Sequence, residues 1–176
     1  MYRAIQHSAL SGFTYDLFDS DNIKVGELCW PDLAIATNAR FNNPLPGVLN
    51  STIEIHYNGH TYEIAFEYLN RDWYSDIRFT LLSEGVALAS ADVVVAKGFL
   101  KRPTITVTSP FAGQVLRKGG WCVTGYEVVR EGGCLGTIAE RSWLMVQREL
   151  IIELPDSLSA PVQFFMFFLV HNHAYR

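Results

Sequence analysis

Apolar and polar residues alternate along this chain in short stretches, which Gly, Asn, Asp and Pro interrupt about every 8–12 residues. The pattern runs from Gly12 to Leu154 and is typical of an all-β sandwich or barrel. Asn58-Gly59 gives the clearest hairpin, because a type I′ turn needs positive φ at both central residues. The segment Asn38–Asn50, rich in Pro and Asn, is predicted to be a long loop.

We predict about eleven or twelve strands. The candidates are Phe13–Phe18, Ile23–Trp30, Ser51–Tyr57, His60–Leu69, Asp76–Leu82, Val86–Val95, Thr104–Thr108, Phe111–Arg117, Trp121–Thr124, Tyr126–Val129, Leu135–Ser142 and Leu150–Leu154, with a weaker one near Pro31–Thr37.

Three hairpins share a short pattern after their polar turn, an apolar residue followed by a small one. The three segments are Val25-Gly26-Glu27-Leu28, Leu88-Ala89-Ser90-Ala91 and Leu135-Gly136-Thr137-Ile138. A small residue at the same place in each return strand indicates close backbone approach or a bend at a barrel corner. The alternative is a chance recurrence in a β-rich chain.

One segment has a helical pattern, and it is apolar on every face. Ser159 is a candidate N-cap ahead of Pro161, and from Pro161 to Val170 the only strongly polar side chain is Gln163. We therefore predict a helix over about 159–172. A helix without a polar face must be buried.

The length of this helix decides what surrounds it. About 20 apolar residues are needed to cross a bilayer, and this run ends at His171-Asn172-His173 after about ten. It has no charged face for an interfacial position either. Protein is then its surroundings, and a helix about 10 Å across requires a barrel wider than eight strands. A β-sandwich with the helix packed outside is the alternative, although it would expose one helical face.

Composition supports one globular domain spanning residues 1–176. The chain is 49% hydrophobic and only 18% charged, so much of it must face an interior. A net charge of −4 argues against general nucleic-acid binding, which depends on neutralising phosphates with Lys and Arg. No transmembrane span is predicted, and composition leaves the oligomeric state open.

The cysteines and the first residues favour a cytoplasmic protein. Cys29, Cys122 and Cys134 are odd in number and widely separated, which fits a reducing compartment and gives no zinc-like spacing. The first residues lack the apolar core and the cleavage site of a secretion signal, and position 2 lacks a myristoylation Gly.

Three parts of the chain form a combined pattern. They are the hairpin from Phe13-Thr14-Tyr15-Asp16-Leu17-Phe18-Asp19 to Val25-Gly26-Glu27, the return strand Gly136-Thr137-Ile138, and Leu154-Pro155-Asp156-Ser157-Leu158 with the Phe-rich helix. This pattern resembles the tubby C-terminal-like superfamily, closest to its LURP-one-related and phospholipid scramblase-like branch. The resemblance extends over nearly the whole chain, but its motifs are diffuse. It implies a twelve-stranded barrel around a central helix.

About activity the resemblance implies less. Tubby domains bind phosphoinositide headgroups through basic side chains, yet no tubby lipid-binding motif matches this chain residue by residue. The Cys-rich, calcium-binding and membrane-anchoring segments of scramblases are also absent from this sequence. The resemblance therefore implies a non-enzymatic binding or scaffolding module. Its ligand would be an anionic phospholipid headgroup or a protein partner. In the lipid case the protein would attach to the membrane periphery.

One basic cluster fits an anionic headgroup. Lys97, Lys101 and Arg102 flank Phe99-Leu100, and Arg117-Lys118, expected in a turn, are candidates to join them in space. The alternative is an ordinary solvated loop. These five basic residues are the predicted lipid or anion site.

No catalytic residue, cofactor or metal site is predicted. His56 with His60, and His171 with His173, are better explained as surface residues, and Asp16, Asp19 and Asp21 as turn residues. The aromatic residues, Trp30, Trp73, Trp121 and Trp143 among them, are ordinary strand filler more often than a ligand groove. No nucleophile elbow, P-loop or GxGxxG is present. An enzyme, hydrolase-like and with its site at a barrel rim, remains the alternative function.

Overall fold

A computed structural model describes residues 1–7, 13–30, 52–70, 76–94, 103–118, 125–141 and 148–174. Its elements are β1 (Tyr2–Gln6), β2 (Phe13–Phe18), β3 (Lys24–Trp30), β4 (Ile53–Tyr57), β5 (His60–Tyr68), β6 (Ile77–Ser83), β7 (Val86–Val94), β8 (Thr104–Ser109), β9 (Gly113–Lys118), β10 (Gly125–Arg130), β11 (Gly133–Glu140), β12 (Glu149–Glu153) and α1 (Ala160–Ala174). Every strand pairs antiparallel with its neighbours in sequence, and β1 pairs with β12. The sheet is therefore a closed twelve-stranded barrel, as predicted.

The up-and-down topology gives the barrel two different ends. At one end, the hairpin end, short turns such as Asn58-Gly59 join each even-numbered strand to the next odd-numbered one. At the other, the distal end, the odd-numbered strands finish and the longer connections begin. Because β12 runs toward the hairpin end, α1 begins there and finishes at the distal end.

The helix α1 lies inside the barrel. Every residue from Ala160 to Val170 is buried, and four phenylalanines of the helix are 0% exposed. Near the hairpin end, Phe164 makes edge contacts with Tyr2 and Tyr57, with ring centroids 4.9 and 5.5 Å apart. Farther along, Phe168 contacts Phe79 at 5.4 Å. The apolar surface of the helix is thus removed from water on all sides, which is where most of its stabilisation arises.

Small residues on the inner wall make room for these rings. Ala4, Ala89 and Ala91 are essentially unexposed, and the last two lie on β7. The backbone of α1 approaches β7 and β4 more closely than the other strands. An inward Ala in place of a larger residue lets the helix lie close to that wall without leaving a void.

The three-hairpin pattern has a structural cause. In each of β2–β3, β6–β7 and β10–β11, one extra residue bulges from the return strand, and these residues are Val25, Leu88 and Leu135. All three pack against the core. The small residue follows directly, and a Cβ on Gly26 or Gly136 would lie about 2 Å from a backbone oxygen of the next strand. The pattern therefore marks a bulge followed by a close approach of two strands.

An ionic cluster lies where the barrel closes. Glu149 on β12 is 6% exposed, and its carboxylate accepts hydrogen bonds of 3.0 Å from both Arg3 on β1 and Arg141 just after β11. A nearly buried carboxylate requires such partners, because an unpaired charge there would be strongly destabilising. The cluster links the first strand to the last two.

Most of the sequence-based assignments are confirmed. The helix begins one residue after Ser159, whose carbonyl accepts a backbone hydrogen bond from Gln163 at 3.1 Å, as expected for an N-cap. Asn58 and Gly59 have positive φ, which confirms the predicted turn. The strand β1 was missed because it is short and only Ala4 is buried in it. The candidates Trp121–Thr124 and Pro31–Thr37 and the loop Asn38–Asn50 lie outside the described residues.

In the part of the chain that the structure describes, no helix combines the length and the apolarity needed to cross a membrane.

Charge inside the barrel should abolish folding. Phe165→Asp or Phe168→Asp would place a carboxylate at a fully buried position of the apolar core, so we expect loss of the soluble folded protein. Phe168→Leu, which keeps the site apolar, should still fold with a lowered Tm. Circular dichroism melts compare the variants; an unchanged cooperative melt of either Asp variant would contradict central burial.

A methyl group at the close approach should also be destabilising. In Gly136→Ala, the new Cβ would lie 2.1 Å from the Glu153 carbonyl oxygen, and we expect a loss of about 1–3 kcal/mol or more. Gly133→Ala is the matched control on the same strand, because its Cβ would meet only the Arg130 oxygen, at 3.6 Å. Urea unfolding measures both, and equal stabilities would refute the close approach.

Candidate functional site

The interior of the barrel is occupied by α1, so candidate chemistry must be sought on the outer wall and at the two ends. Three groups of residues are candidates: a Tyr–His pair at the distal end, the predicted basic residues, and a Cys–Glu–His cluster on the outer wall.

The pair at the distal end joins the helix to β2. The Tyr15 hydroxyl and Nε2 of His171 share a hydrogen bond of 2.8 Å. Their rings also meet edge to face, and the His171 ring stacks on Phe167. The side chain of His171 is partly buried and hydrogen-bonded, so the prediction that it is a surface residue is wrong. At this end of the barrel, the helix therefore contacts β2 through a polar side chain, His171.

Burial keeps both groups neutral. It raises the pKa of Tyr15 well above its usual range, and the nearby Arg148 only partly opposes this. For His171, burial and then the charge of Arg148 lower the pKa to about 3. A general base for chemistry near neutral pH would have a pKa near 7 instead. The pair is therefore suited to fixing the end of the helix.

This pair predicts a pH dependence of stability. The folded-state pKa of His171 lies below the unfolded value near 6.5, so the unfolded state binds the extra proton. Stability should fall as pH drops from about 6.5 toward 3, by up to roughly 1.4 kcal/mol per pH unit from this group.

The measurement is urea unfolding between pH 7 and 4 for the wild type and for His171→Gln, which cannot titrate. The difference in stability between them should shrink as pH falls. A constant difference over that range would show that His171 does not bind its proton mainly in the unfolded state.

The predicted basic residues are only partly within the described structure. Lys97, Lys101 and Arg102 lie outside the described residues, in the connection between β7 and β8. Arg117 and Lys118 were expected in a turn, but they form the last two residues of β9. Because Ile105 pairs with Val115, β8 begins beside this end of β9. The strands bounding both basic segments thus meet at the distal end.

The third group lies on the outer face of β3 and β4. Cys29 is paired across the strands with Glu54, and His56 lies two residues farther along β4. The neighbours of Cys29 on β3, Leu28 and Trp30, point inward and are buried, so Cys29 points outward. One ligand atom from each of Cys29, Glu54 and His56 lies within 4.8 Å of the others. All three residues are partly buried.

The surroundings of this cluster hold the imidazole and disfavour a free thiolate. Nε2 of His56 lies 3.1 Å from Glu54 Oε2, while Nδ1 is hydrogen-bonded to the Thr61 hydroxyl at 3.1 Å. Burial, followed by the carboxylates of Glu54 and Glu27, raises the pKa of the Cys29 thiol. Unless a cation binds beside it, Cys29 therefore remains a thiol, which is a poor nucleophile.

Sequence reasoning missed this cluster because its residues are far apart in the chain. Cys29 and His56 are joined only through the register of β3 and β4. The available signal was the alternation: Glu27 and Cys29 share one face of their strand, and Glu54 and His56 share one face of theirs.

Other candidate residues have structural roles. The Asp19 carboxylate accepts hydrogen bonds from the backbone N–H groups of Asp21 and Ile23, both at 2.9 Å, which confirms its role in the turn. Trp30 is 3% exposed and packs in the core, as predicted. Trp73, Trp121 and Trp143 lie outside the described residues.

Comparisons with known proteins give no relative: no family model, no curated protein and no solved structure matches this chain. The class that the described residues define is a closed antiparallel twelve-stranded barrel with its C-terminal helix inside.

Proposed function

We propose that this protein is a non-enzymatic binding or scaffolding module of the tubby and LURP-one-related type, which binds anionic phospholipid headgroups through the distal end of its barrel. The observation that carries the proposal is topological. Strands β7, β8 and β9 are adjacent, and the basic segments containing Lys97–Arg102 and Arg117-Lys118 are both bounded by their distal ends. The enclosed helix supports an external ligand, because its side chains already occupy the interior.

The charges of the two ends differ in sign. At the hairpin end, exposed or partly exposed acidic residues predominate, namely Asp19, Asp21, Glu84, Glu131 and Asp156. The sequence of the distal connections carries more basic than acidic residues, with Arg40, Arg71, Lys97, Lys101, Arg102, Arg141 and Arg148 against Asp32, Asp72 and Asp76. Anionic headgroups would attract the distal end and repel the hairpin end.

Aromatic residues in the same connections support this orientation. Trp73, Trp121 and Trp143 fall in three of the segments that join strands at the distal end, whereas Trp30 belongs to the core. Tryptophan and basic residues are the side chains that membrane interfaces favour. The tryptophans and the basic residues together favour a peripheral membrane contact over the alternative ligand, a protein partner.

The hydrolase-like alternative gains no support from the rim residues described. An acid–base site at a barrel rim would require groups that exchange protons near neutral pH. Tyr15 and His171 lie at the distal end, but burial moves the pKa of each away from neutrality.

Vesicle co-sedimentation tests the lipid proposal. The protein should bind vesicles that contain anionic lipid and not purely zwitterionic ones. At about 1 kcal/mol per basic residue, Lys97→Ala/Lys101→Ala/Arg102→Ala should lower the partition coefficient on the order of 100-fold, and Arg117→Ala/Lys118→Ala about 30-fold.

A double variant of the hairpin end is the control. Lys24→Ala/Arg130→Ala removes two basic residues near that end and should leave vesicle binding unchanged. Equal, negligible binding to both vesicle types would overturn the lipid proposal. It would also be overturned if the control variant lost as much vesicle binding as the distal-end variants. Binding of the wild type should also weaken as salt is raised.

A further inference from the structure

We propose that Cys29, Glu54 and His56 form a binding site for a divalent cation of the zinc class on the outer wall of β3 and β4. The inference is independent of lipid binding, because it rests on other residues and a different ligand. It starts from the cross-strand cluster in which one sulfur, one oxygen and one nitrogen ligand atom lie within 4.8 Å of one another.

The separations are close to those of a coordinated metal. Tetrahedral zinc, with Zn–N and Zn–O near 2.1 Å and Zn–S near 2.3 Å, separates N from O by about 3.4 Å and S from N by about 3.6 Å. Nε2 of His56 and Oε2 of Glu54 are already 3.1 Å apart. The sulfur of Cys29 lies within 4.8 Å of the other two ligand atoms, so each of its separations has to shorten by at most about 1.2 Å, which a side-chain rotation can provide.

The strand register fixes the backbone of all three residues. Cys29 and Glu54 are directly opposite, so their Cβ atoms are expected within about 5.5 Å of each other. The Gly26 close approach on the same strand pair brings β3 against the backbone carbonyl of His56. The ligands thus come from paired strands of a closed sheet, which favours a preformed site.

A second layer of contacts supports the imidazole. The Thr61 hydroxyl, on β5, is 3.1 Å from Nδ1 of His56 and leaves Nε2 directed at the Glu54 carboxylate. Metal-binding histidines commonly use their other ring nitrogen in this way, and the contact fixes the ring orientation. Glu27, opposite His56, and Glu63, opposite Glu54, add negative charge around the site.

The ligand types select the metal. A thiolate and an imidazole suit Zn²⁺ and Co²⁺, whereas Mg²⁺ and Ca²⁺ prefer oxygen ligands alone. Three protein ligands leave a fourth position, and the side chains of His56 and Glu54 are 45% and 38% exposed. That position would face solvent and accept water or a group from another molecule.

Cobalt titration tests the site. With the reduced full chain and Co²⁺ as the probe, we expect one equivalent to bind and to give a thiolate-to-cobalt charge-transfer band in the near ultraviolet. Cys29→Ser should abolish the band, and His56→Ala should weaken binding at least about tenfold. Thr61→Val, which removes only the supporting hydroxyl, should weaken binding by about 10–100-fold.

The chain offers matched controls. Cys134 is an exposed free cysteine on β11, and His60 is an exposed histidine in the β4–β5 hairpin, so Cys134→Ser and His60→Ala should leave the titration unchanged. Zinc should raise the Tm of the wild type and of these controls, and not that of Cys29→Ser. The absence of a charge-transfer band in the wild type would overturn the proposal. So would a band that survives in Cys29→Ser and is lost in Cys134→Ser or Cys122→Ser.

Discussion

The enclosure of α1 is the constraint on which the rest of this structure depends. The helix has no polar face, so every direction around it must be filled by protein. A sheet that surrounds a helix about 10 Å across must close on itself with more than the eight strands that fill their own interior. Twelve strands satisfy this requirement, and the inward Ala89 and Ala91 of β7 adjust the fit where the helix lies close to the wall.

Closure of so wide a sheet depends on local features that recur around it. The bulged hairpins β2–β3, β6–β7 and β10–β11 are four strands apart in the barrel, so they divide its circumference into three equal parts. Bulges bend a strand and increase its local twist. At each one an apolar residue turns toward the core and a small residue follows it. The short sequence pattern thus reports the curvature of the barrel.

More of the fold than of the candidate site could be predicted from the sequence. The fold depends on local hydrophobic patterns, whereas the site depends on which strands pair and in which register. Hydrophobic periodicity along one strand or helix is local, so it revealed the burial of Phe164–Val170 and nearly all the strands. The strand β1 was missed because its alternation is weak. The cluster of Cys29 with His56 depends on the register of β3 with β4, which no single segment encodes. His171 was misassigned for a similar reason, since only the assembled barrel brings Tyr15 to the end of the helix.

Because the helix fills the interior, the inward side chains of the strands serve packing, and only the outward side chains are available to contact other molecules. On β3, Leu28 and Trp30 face the helix, and Cys29 between them faces outward. On β4, Ile53 and Ile55 are buried, and Glu54 and His56 are on the opposite face. Because neighbouring positions have opposite orientations, the outer residues are free of the packing constraints that the helix imposes on the inner ones. The polar chemistry of the wall therefore does not arise from the demands of the core, and a thiol, a carboxylate and an imidazole brought together there require an explanation of their own.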